Sequence, residues 1–194
     1  MRRTTLASFC NTLRVDFLEG CERRGATPPR GEKRMPMLQK LLLYLDENKV
    51  QYQRHSHPTA YTAKEVASVE HVPAHKIAKA VVFFSEKGYA MAVLPGDCLL
   101  DLHGLQAVLG VSRLRLATES ELADLFPDCE LGAMGPFGNL CGVPVYVDES
   151  LAAEETIAFN AGTHRDVIHI RFDDFKRLVN PAMASLVRRQ TFSA

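Results

Sequence analysis

The stretch Lys76-Ile77-Ala78-Lys79-Ala80-Val81-Val82-Phe83-Phe84 is the most informative part of the sequence, because a lysine lies inside a run that is otherwise typical of a buried strand. Side chains alternate between the two faces of a strand, so Lys79 shares a face with Val81 and Phe83. A buried ammonium needs a partner, so this side chain must reach a cleft, a ligand or the edge of a sheet. A lysine at a sheet edge is the commoner explanation, and a lysine that binds substrate is the functional alternative.

Two glycine-containing segments follow far downstream. They are Gly132-Ala133-Met134-Gly135-Pro136-Phe137-Gly138 and Asn160-Ala161-Gly162-Thr163-His164. Small residues leave backbone N–H groups accessible to an anion or a carbonyl oxygen. Glycine with proline is also ordinary turn chemistry, so neither segment alone indicates a function. A lysine on a rigid strand that faces both segments would hold an anionic or carbonyl-bearing substrate.

The rest of the chain alternates between short helices and strands. Thr62 with Glu65, and Thr118 with Glu121, form capping boxes that predict helix starts, and Asp101 and Asp173 are further candidate caps. Hydrophobic periodicity predicts helices at about 37–48, 62–69, 101–109, 118–126 and 175–179, and strands at 50–54, 77–85, 89–94, 113–117, 143–148, 156–160 and 167–172. Strand pairs interrupted by single helices indicate an α+β domain with a mixed, mostly antiparallel sheet.

In this order the motifs resemble those of the YbaK and prolyl-tRNA-synthetase-associated editing-domain family of aminoacyl-tRNA deacylases. The similar region covers about residues 37–180. It comprises a leucine helix, His57-Pro58-Thr59-Ala60-Tyr61-Thr62-Ala63-Lys64-Glu65-Val66-Ala67, the strand lysine Lys79, the Gly-x-x-x-Pro loop at 132–136 and the Gly-x-His motif at 162–164. The resemblance implies a strongly curved sheet with surrounding helices. It also implies trans-editing, the hydrolysis of the ester between a mischarged amino acid and the terminal ribose of tRNA.

The resemblance further implies a site. Lys79 matches the functionally essential lysine of the family and is expected to bind or orient the substrate, with proton transfer left open. Backbone N–H groups around 132–136 are expected to stabilise the oxyanion during attack by water, and residues 162–164 to contact the amino acid. Ala80 stands where the branch that removes alanine from proline tRNA has asparagine. This departure disfavours that substrate, and other small amino acids remain the expected class.

Three other readings compete with this one. His55 and His57 share a strand face and could bind a metal, but no third ligand is near them in sequence, so we expect neither a metal nor a cofactor. Cys141 follows the glycine loop closely enough to suggest a cysteine hydrolase, although a packed thiol is the commoner role. The third hypothesis is a non-catalytic module that binds aminoacyl-tRNA or a synthetase. Such a protein would have the same cleft but would not hydrolyse the ester.

Charge distribution limits the partners. The formal net charge is zero, but residues 1–36 carry eight Lys/Arg and four Asp/Glu, which leaves 15 against 19 for the remainder. An acidic body is not typical of a protein that grips many phosphates. We therefore expect contact with the acceptor end of an aminoacyl-tRNA, with a synthetase or an elongation factor as a further partner.

Composition bounds the architecture. The chain has 194 residues, which suits one sizeable core, so we predict a mobile N-terminal extension at 1–36 and a single domain at 37–194. Five cysteines without a CxxC pair indicate neither a disulfide framework nor a zinc knuckle. No apolar run of membrane-spanning length occurs, so we expect no membrane association and a cytoplasmic location.

Overall fold

The structure is a computed structural model, and it describes residues 35–188. The predicted N-terminal extension at 1–36 therefore lies outside the described residues except for its last two positions. Within the described range the α-helices are α1 (Met37–Glu47), α2 (Ala63–Val69), α3 (Leu102–Leu109), α4 (Glu119–Leu125) and α5 (Phe172–Val179), with 3-10 helices at Ala74–Lys76, Gly138–Cys141 and Glu149–Ala153. None of the α-helices in this range has the length and apolar character needed to cross a membrane.

The strands are short, and several of them join distant parts of the chain. They are β1 (Tyr52–Ser56), β2 (Ala78–Ser85), β3 (Gly88–Pro95), β4 (Leu99–Leu100), β5 (Leu114–Leu116), β6 (Val145–Asp148), β7 (Thr156–Asn160), β8 (Asp166–Arg171), β9 (Ala182–Ala184) and β10 (Val187–Arg188). The sequence predicts seven of these strands, and β4, β9 and β10 are additional.

The capping residues in the sequence predict most of the helix starts correctly. Both predicted capping boxes are present, because the Thr62 and Thr118 side chains accept hydrogen bonds from the backbone N–H groups of Glu65 and Glu121. Asp101 caps α3 as predicted. The prediction for Asp173 is wrong: α5 begins at Phe172, directly after β8, and Asp173 lies in its first turn. The buried Phe172 ring fixes this start.

The strands form three sheets with the orders β5-β2-β3-β6-β9, β1-β8-β7 and β4-β10. The β3–β6 and β6–β9 pairs are parallel, and all other strand pairs in the described residues are antiparallel. This arrangement confirms the predicted α+β class with a mixed, mostly antiparallel sheet. The sheet prediction differs in one respect, because the strands divide among separate sheets.

Strand β2 is buried on both faces. On one face Ala78 and Val82 join the main core, which extends through β7, β8, α1 and α5. On the other face Phe83 packs with Leu94, Leu105 and neighbouring apolar residues under α3. Lys79 lies opposite Leu94 in the β2–β3 register, on this second face. β5 pairs with β2 only at Phe83–Ser85, so at Lys79 the strand is paired with β3 alone within the described five-stranded sheet.

A single parallel bridge between Ile77 and Ala158 connects the five-stranded and three-stranded sheets. Two residues beyond this bridge, the chains reach Lys79 and Asn160 respectively. Strand side chains repeat with a period of two, so these two positions share the face of the bridge residues. The bridge therefore brings the lysine end of β2 alongside the end of β7 that leads into Gly162 and His164.

Candidate functional site

The ammonium group of Lys79 is held by backbone carbonyl groups. Its Nζ donates to the carbonyl oxygens of Gly96, at 3.3 Å, and Cys98, at 2.5 Å. Within residues 35–188 it forms no ion pair with a carboxylate. Burial lowers the pKa of Lys79, while Cys98 and Asp97 oppose the shift and Lys64 adds to it. A half-buried cation without an acidic partner can bind an anionic or oxygen-bearing ligand, and its lowered pKa favours proton loss.

The N-terminal turn of α2 lies between Lys79 and His164. A Cβ atom on Gly96 would be 3.0 Å from the Ala63 Cβ, so this turn packs closely against the backbone that holds Lys79. On the other side, the Tyr61 ring lies 4.8 Å from the His164 ring, centroid to centroid. The Ala60 N–H also donates to the His164 carbonyl oxygen at 3.0 Å. One short segment thus contacts the surroundings of both predicted side chains.

The two glycine segments, about thirty positions apart in sequence, contact each other directly. The Gly162 N–H donates to the Ala133 carbonyl oxygen, and the Glu130 N–H donates to the Gly162 carbonyl oxygen, both at 2.9 Å. Gly162 has a φ of +94°, and a Cβ there would lie 3.0 Å from the Met37 Cβ. Position 162 therefore requires glycine both for its backbone conformation and for the close approach of α1.

Within the 132–136 loop, side chains and backbone have different roles. The Ala133 and Met134 side chains are buried in protein, so they do not face a ligand, and Pro136 has no N–H group to offer. The Ala133 N–H donates to the Glu130 carbonyl oxygen. The N–H groups of Gly132, Met134 and Gly135 have no acceptor among residues 35–188. These three groups are the available donors of the loop.

His164 lies in the turn between β7 and β8 but is buried, since only 8% of it is exposed. Its backbone N–H donates to Glu130 Oε2 at 2.8 Å, and its Nε2 lies 2.9 Å from the Leu131 carbonyl oxygen. A carbonyl oxygen can only accept, so Nε2 carries the proton, and in the neutral ring Nδ1 is then an acceptor. The Nδ1 atom is buried and has no partner in the described part of the chain.

Thr163 stabilises the turn itself. Its hydroxyl donates to Asp166 Oδ2 at 2.7 Å and accepts from the Asp166 backbone N–H at 3.0 Å. The other carboxylate oxygen, Oδ1, accepts from Arg54 Nη2 at 2.8 Å. These bonds fix the turn that presents His164, so the hydroxyl predicted to contact the amino acid is already engaged within the protein.

Asn160 is a site candidate that the sequence predictions missed. It ends β7, and its carbonyl oxygen would lie 2.9 Å from a Cβ on Gly135, so the glycine loop approaches it closely. Its Oδ1 is buried and has no hydrogen-bond partner within 35–188. A buried acceptor without a donor costs about 1–3 kcal/mol, which a ligand donor would recover. The only sequence signal is its place two residues before the Gly-x-His motif.

The structure does not favour the two competing hypotheses, a cysteine hydrolase and a metal site at His55 and His57. Burial raises the pKa of Cys141, and the Cys141 thiol lies in a 3-10 helix beyond the glycine loop, so a reactive thiolate is not favoured. His57 lies beyond the end of β1, and its Nδ1 contacts the Pro58 carbonyl oxygen. His55 and His57 therefore do not form the metal-binding pair that the sequence suggested. His55 instead contacts Glu70, a residue fifteen positions away.

The Asp166 carboxylate provides a pH test of the turn. Burial raises its pKa, but hydrogen bonds from Thr163 and Arg54 outweigh this effect, so the pKa is lowered. Its stabilisation is present above the unfolded-state pKa of about 3.9 and is lost as pH falls through the lower folded-state pKa. We expect Asp166→Asn to be less stable than wild type at neutral pH, with the difference shrinking in acid.

Urea unfolding of both proteins from neutral to acid pH measures this difference. Asp173→Asn is the control, since that side chain is 85% exposed. A difference for Asp166→Asn that is constant across the pH range would contradict the assignment.

Comparisons with known proteins identify the family. Residues 57–178 match the model of the aminoacyl-tRNA editing domain. The prolyl-tRNA editing protein ProX of Acetoanaerobium sticklandii is 26% identical over 151 residues, covering 75% of this chain and 92% of that protein. The proline--tRNA ligase of Thermosipho africanus is 37% identical over 81 residues, which are 42% of this chain and only 14% of the ligase.

A solved structure agrees with these sequence matches. It is provisionally assigned as a trans-editing enzyme for prolyl tRNA synthetase. It superposes with a TM-score of 0.70 at 25% identity, covering 80% of this chain and 99% of that one. The chain therefore belongs to the aminoacyl-tRNA editing domain family, the YbaK-like proteins that the sequence motifs resemble.

Proposed function

We propose that this protein is a trans-editing hydrolase that cleaves the ester bond of a tRNA mischarged with a small amino acid. The observation that carries the proposal is the meeting of the two glycine segments. It sets the unpaired N–H donors of the 132–136 loop next to the buried His164. Membership of the editing family and the likeness to an editing protein over 92% of its length support the same activity.

The backbone donors suit the reaction. An aminoacyl ester is already activated, so positioned water can attack it without a covalent intermediate if the developing oxyanion is stabilised. The N–H groups of Gly132, Met134 and Gly135 lack acceptors within the described residues, and a substrate carbonyl oxygen would supply one. Fixed donors of this kind need no reorganisation as charge develops, which makes them effective in the transition state.

The buried acceptors suit the other end of the amino acid. A substrate α-ammonium group is a donor of three hydrogen bonds. Asn160 Oδ1 and His164 Nδ1 are buried acceptors without a protein donor in residues 35–188. Binding the ammonium group would satisfy both atoms and place the ester towards the glycine loop. An acyl group that lacks this ammonium would leave both acceptors unpaired, which favours aminoacyl esters over other esters.

Lys79 is assigned to the tRNA end of the substrate. Its charge has carbonyl partners but no ion pair among the described residues, so a terminal phosphate or ribose oxygen could bind it. The exposed Lys64 lies close enough to lower its pKa and extends the local positive charge. Such a patch is suited to an acceptor end and not to a long stretch of nucleic acid. We infer that a synthetase or an elongation factor supplies further tRNA contacts, in the cytoplasm.

A panel of mischarged tRNAs tests the activity directly. The names of the relatives make proline tRNA the first acceptor to examine. Alanine, serine, cysteine and threonine esters cover the small amino acids, with cognate prolyl-tRNA as the control. We expect ester loss well above the spontaneous rate for at least one small amino acid and none for the cognate ester. Binding of these tRNAs without ester loss would favour the non-catalytic module instead.

Replacing Lys79 by Met should abolish deacylation while the fold remains stable. Methionine keeps the apolar stem, and burial already disfavours the charged form, as its lowered pKa shows, so loss of the charge costs the fold little. Single-turnover ester loss and the melting temperature are the measurements. Near-normal turnover would remove Lys79 from the site. Cys141→Ser is the matched control and should keep its turnover, whereas its complete inactivation would point to a thiol mechanism.

Replacing Gly132 by Val should slow the chemical step more than it weakens binding. Loss of one oxyanion donor raises the activation barrier by roughly 2.7–4 kcal/mol. The substitution also carries a folding cost, because Gly132 has a φ of +86° and a left-handed residue with a Cβ costs about 1–2 kcal/mol. Gly88→Val separates the two effects, since Gly88 has a φ of +99° and open space around it in the β2–β3 hairpin.

Single-turnover rate, substrate affinity and melting temperature are compared for both variants. We expect similar losses of melting temperature but a slow chemical step only for Gly132→Val. Equal losses of rate and affinity at Gly132 would mean that the loop only shapes the pocket.

A further inference from the structure

A second cluster of polar side chains lies outside the proposed editing site. Glu70 Oε2 is 2.6 Å from His55 Nδ1 and 2.8 Å from His169 Nε2. The two imidazole rings are 4.8 Å apart, centroid to centroid, with an angle of 45° between their planes. One potential ligand atom from each residue lies within 4.8 Å of the other two. Two imidazole nitrogens and a carboxylate oxygen therefore converge on one point.

The fold builds this cluster from three elements. In the β1–β8 register Gln53 is opposite His169 and His55 is opposite Val167. His55 and His169 are thus diagonal neighbours on one face of the sheet, within reach of each other. Val66 and Ala67 of α2 pack in the same apolar cluster as Val167. This packing carries Glu70, at the C-terminal end of α2, over the two histidines.

The environment of Glu70 is that of a buried carboxylate with no permanent cation. Only 3% of its side chain is exposed, and its ionic contacts within residues 35–188 are the two histidines alone. Burial raises its pKa, but hydrogen bonds with His169 and His55 outweigh that effect, so its pKa is lowered. A buried anion is costly unless it is paired or binds a metal. The two imidazole rings contact this carboxylate through one nitrogen each, and a divalent cation between the three groups would compensate its charge.

We propose that His55, Glu70 and His169 form a binding site for a divalent transition metal ion of the zinc class. Imidazole and carboxylate donors suit zinc, with metal–ligand distances of about 2.0–2.2 Å. Tetrahedral geometry at these distances separates donor atoms by about 3.3 Å, so the Glu70 oxygen must withdraw by roughly 0.7 Å from His55 and roughly 0.5 Å from His169. His55 is 49% exposed, which leaves a fourth position open to water or another ligand.

The metal would fasten α2 to the three-stranded sheet. Its ligands come from β1, β8 and the end of α2 opposite to the turn that contacts His164 and the Lys79 loop. Seven residues of helix at about 1.5 Å each separate the two ends by roughly 10 Å. The metal site is therefore distinct from the proposed editing site. We expect the metal to make α2 more ordered, and α2 is the element that covers the proposed editing site.

Calorimetric titration of the metal-free, full-length, untagged protein with ZnCl₂ tests the proposal. We expect saturable binding of one ion per chain, and a melting temperature that rises with Zn²⁺ concentration. Co²⁺ in place of Zn²⁺ should give visible absorption bands of a nitrogen- and oxygen-ligated ion. MgCl₂ should produce no such binding, because Mg²⁺ prefers an all-oxygen octahedral site. Amide exchange in α2 should slow when Zn²⁺ is added.

Ligand variants decide whether the ion binds at this cluster. Glu70→Gln and His169→Ala should lower Zn²⁺ affinity by at least about tenfold, since even outer-shell changes cost 10- to 100-fold. His103→Ala is the matched control, because this exposed histidine lies on α3 outside the cluster. Glu70→Gln preserves the shape of the side chain, so this variant is expected to fold. Its melting temperature without Zn²⁺ checks that it does.

Absence of one-site Zn²⁺ binding to wild type would overturn the proposal. So would binding that the Glu70→Gln and His169→Ala variants retain unchanged. None of these readouts uses deacylation, so the metal site and the editing activity stand or fall separately.

Discussion

The parallel bridge between Ile77 and Ala158 is the contact on which the arrangement of the site depends. It is the place where the start of β2 meets β7, and thereby where the five-stranded and three-stranded sheets are joined. Lys79 follows the bridge on one strand, and Asn160 follows it on the other. Residues of β2 pack into the core on both faces, and the Lys79 ammonium donates to the carbonyl oxygens of Gly96 and Cys98.

Helix α2 packs against this junction and forms one wall of the proposed site. Its apolar residues pack near the bridge, beside Ile77 and Ala158. Its first turn contacts the Gly96 backbone and brings Tyr61 against His164, while its last residue reaches the histidines of β1 and β8. A seven-residue helix has little stability of its own, so these tertiary contacts determine its position. Any ligand that fixes one end of α2 therefore also restricts the other end.

Features determined by neighbouring residues could be predicted from the sequence, and features determined by tertiary packing could not. The capping boxes at Thr62 and Thr118 and the β2–β3 hairpin depend on residues a few positions apart, and all three are present. The short strands β4, β9 and β10 have no periodicity to detect, because pairing with a distant partner defines them. Glu70 and His169 are 99 positions apart, so no local pattern could reveal their contact.

The same distinction holds within the editing site. The glycine motifs could be recognised because a left-handed backbone leaves a mark in the sequence, as at Gly132 and Gly162. Asn160 could not be recognised, since its importance comes from burial without a donor. The 132–136 loop was predicted to bind through its backbone, and the burial of the Ala133 and Met134 side chains is compatible with that prediction.

In the proposed site the hydrogen-bond donors are backbone groups, whereas the acceptors are side chains. The donors would therefore serve the reaction itself, and the acceptors would determine which amino acid binds. The oxyanion donors that we propose belong to a backbone whose shape glycine fixes, so they would be the same for every aminoacyl ester. The proposed acceptors are the side chains of Asn160 and His164, and the space beside this turn depends on packing of Met37 from α1 against Gly162 and of Tyr61 against His164. Changes in that packing can alter which amino acid fits without moving the donors. Ala80 packs against the main core on the β2 face opposite Lys79, so in the proposed site it would influence selectivity only through such packing.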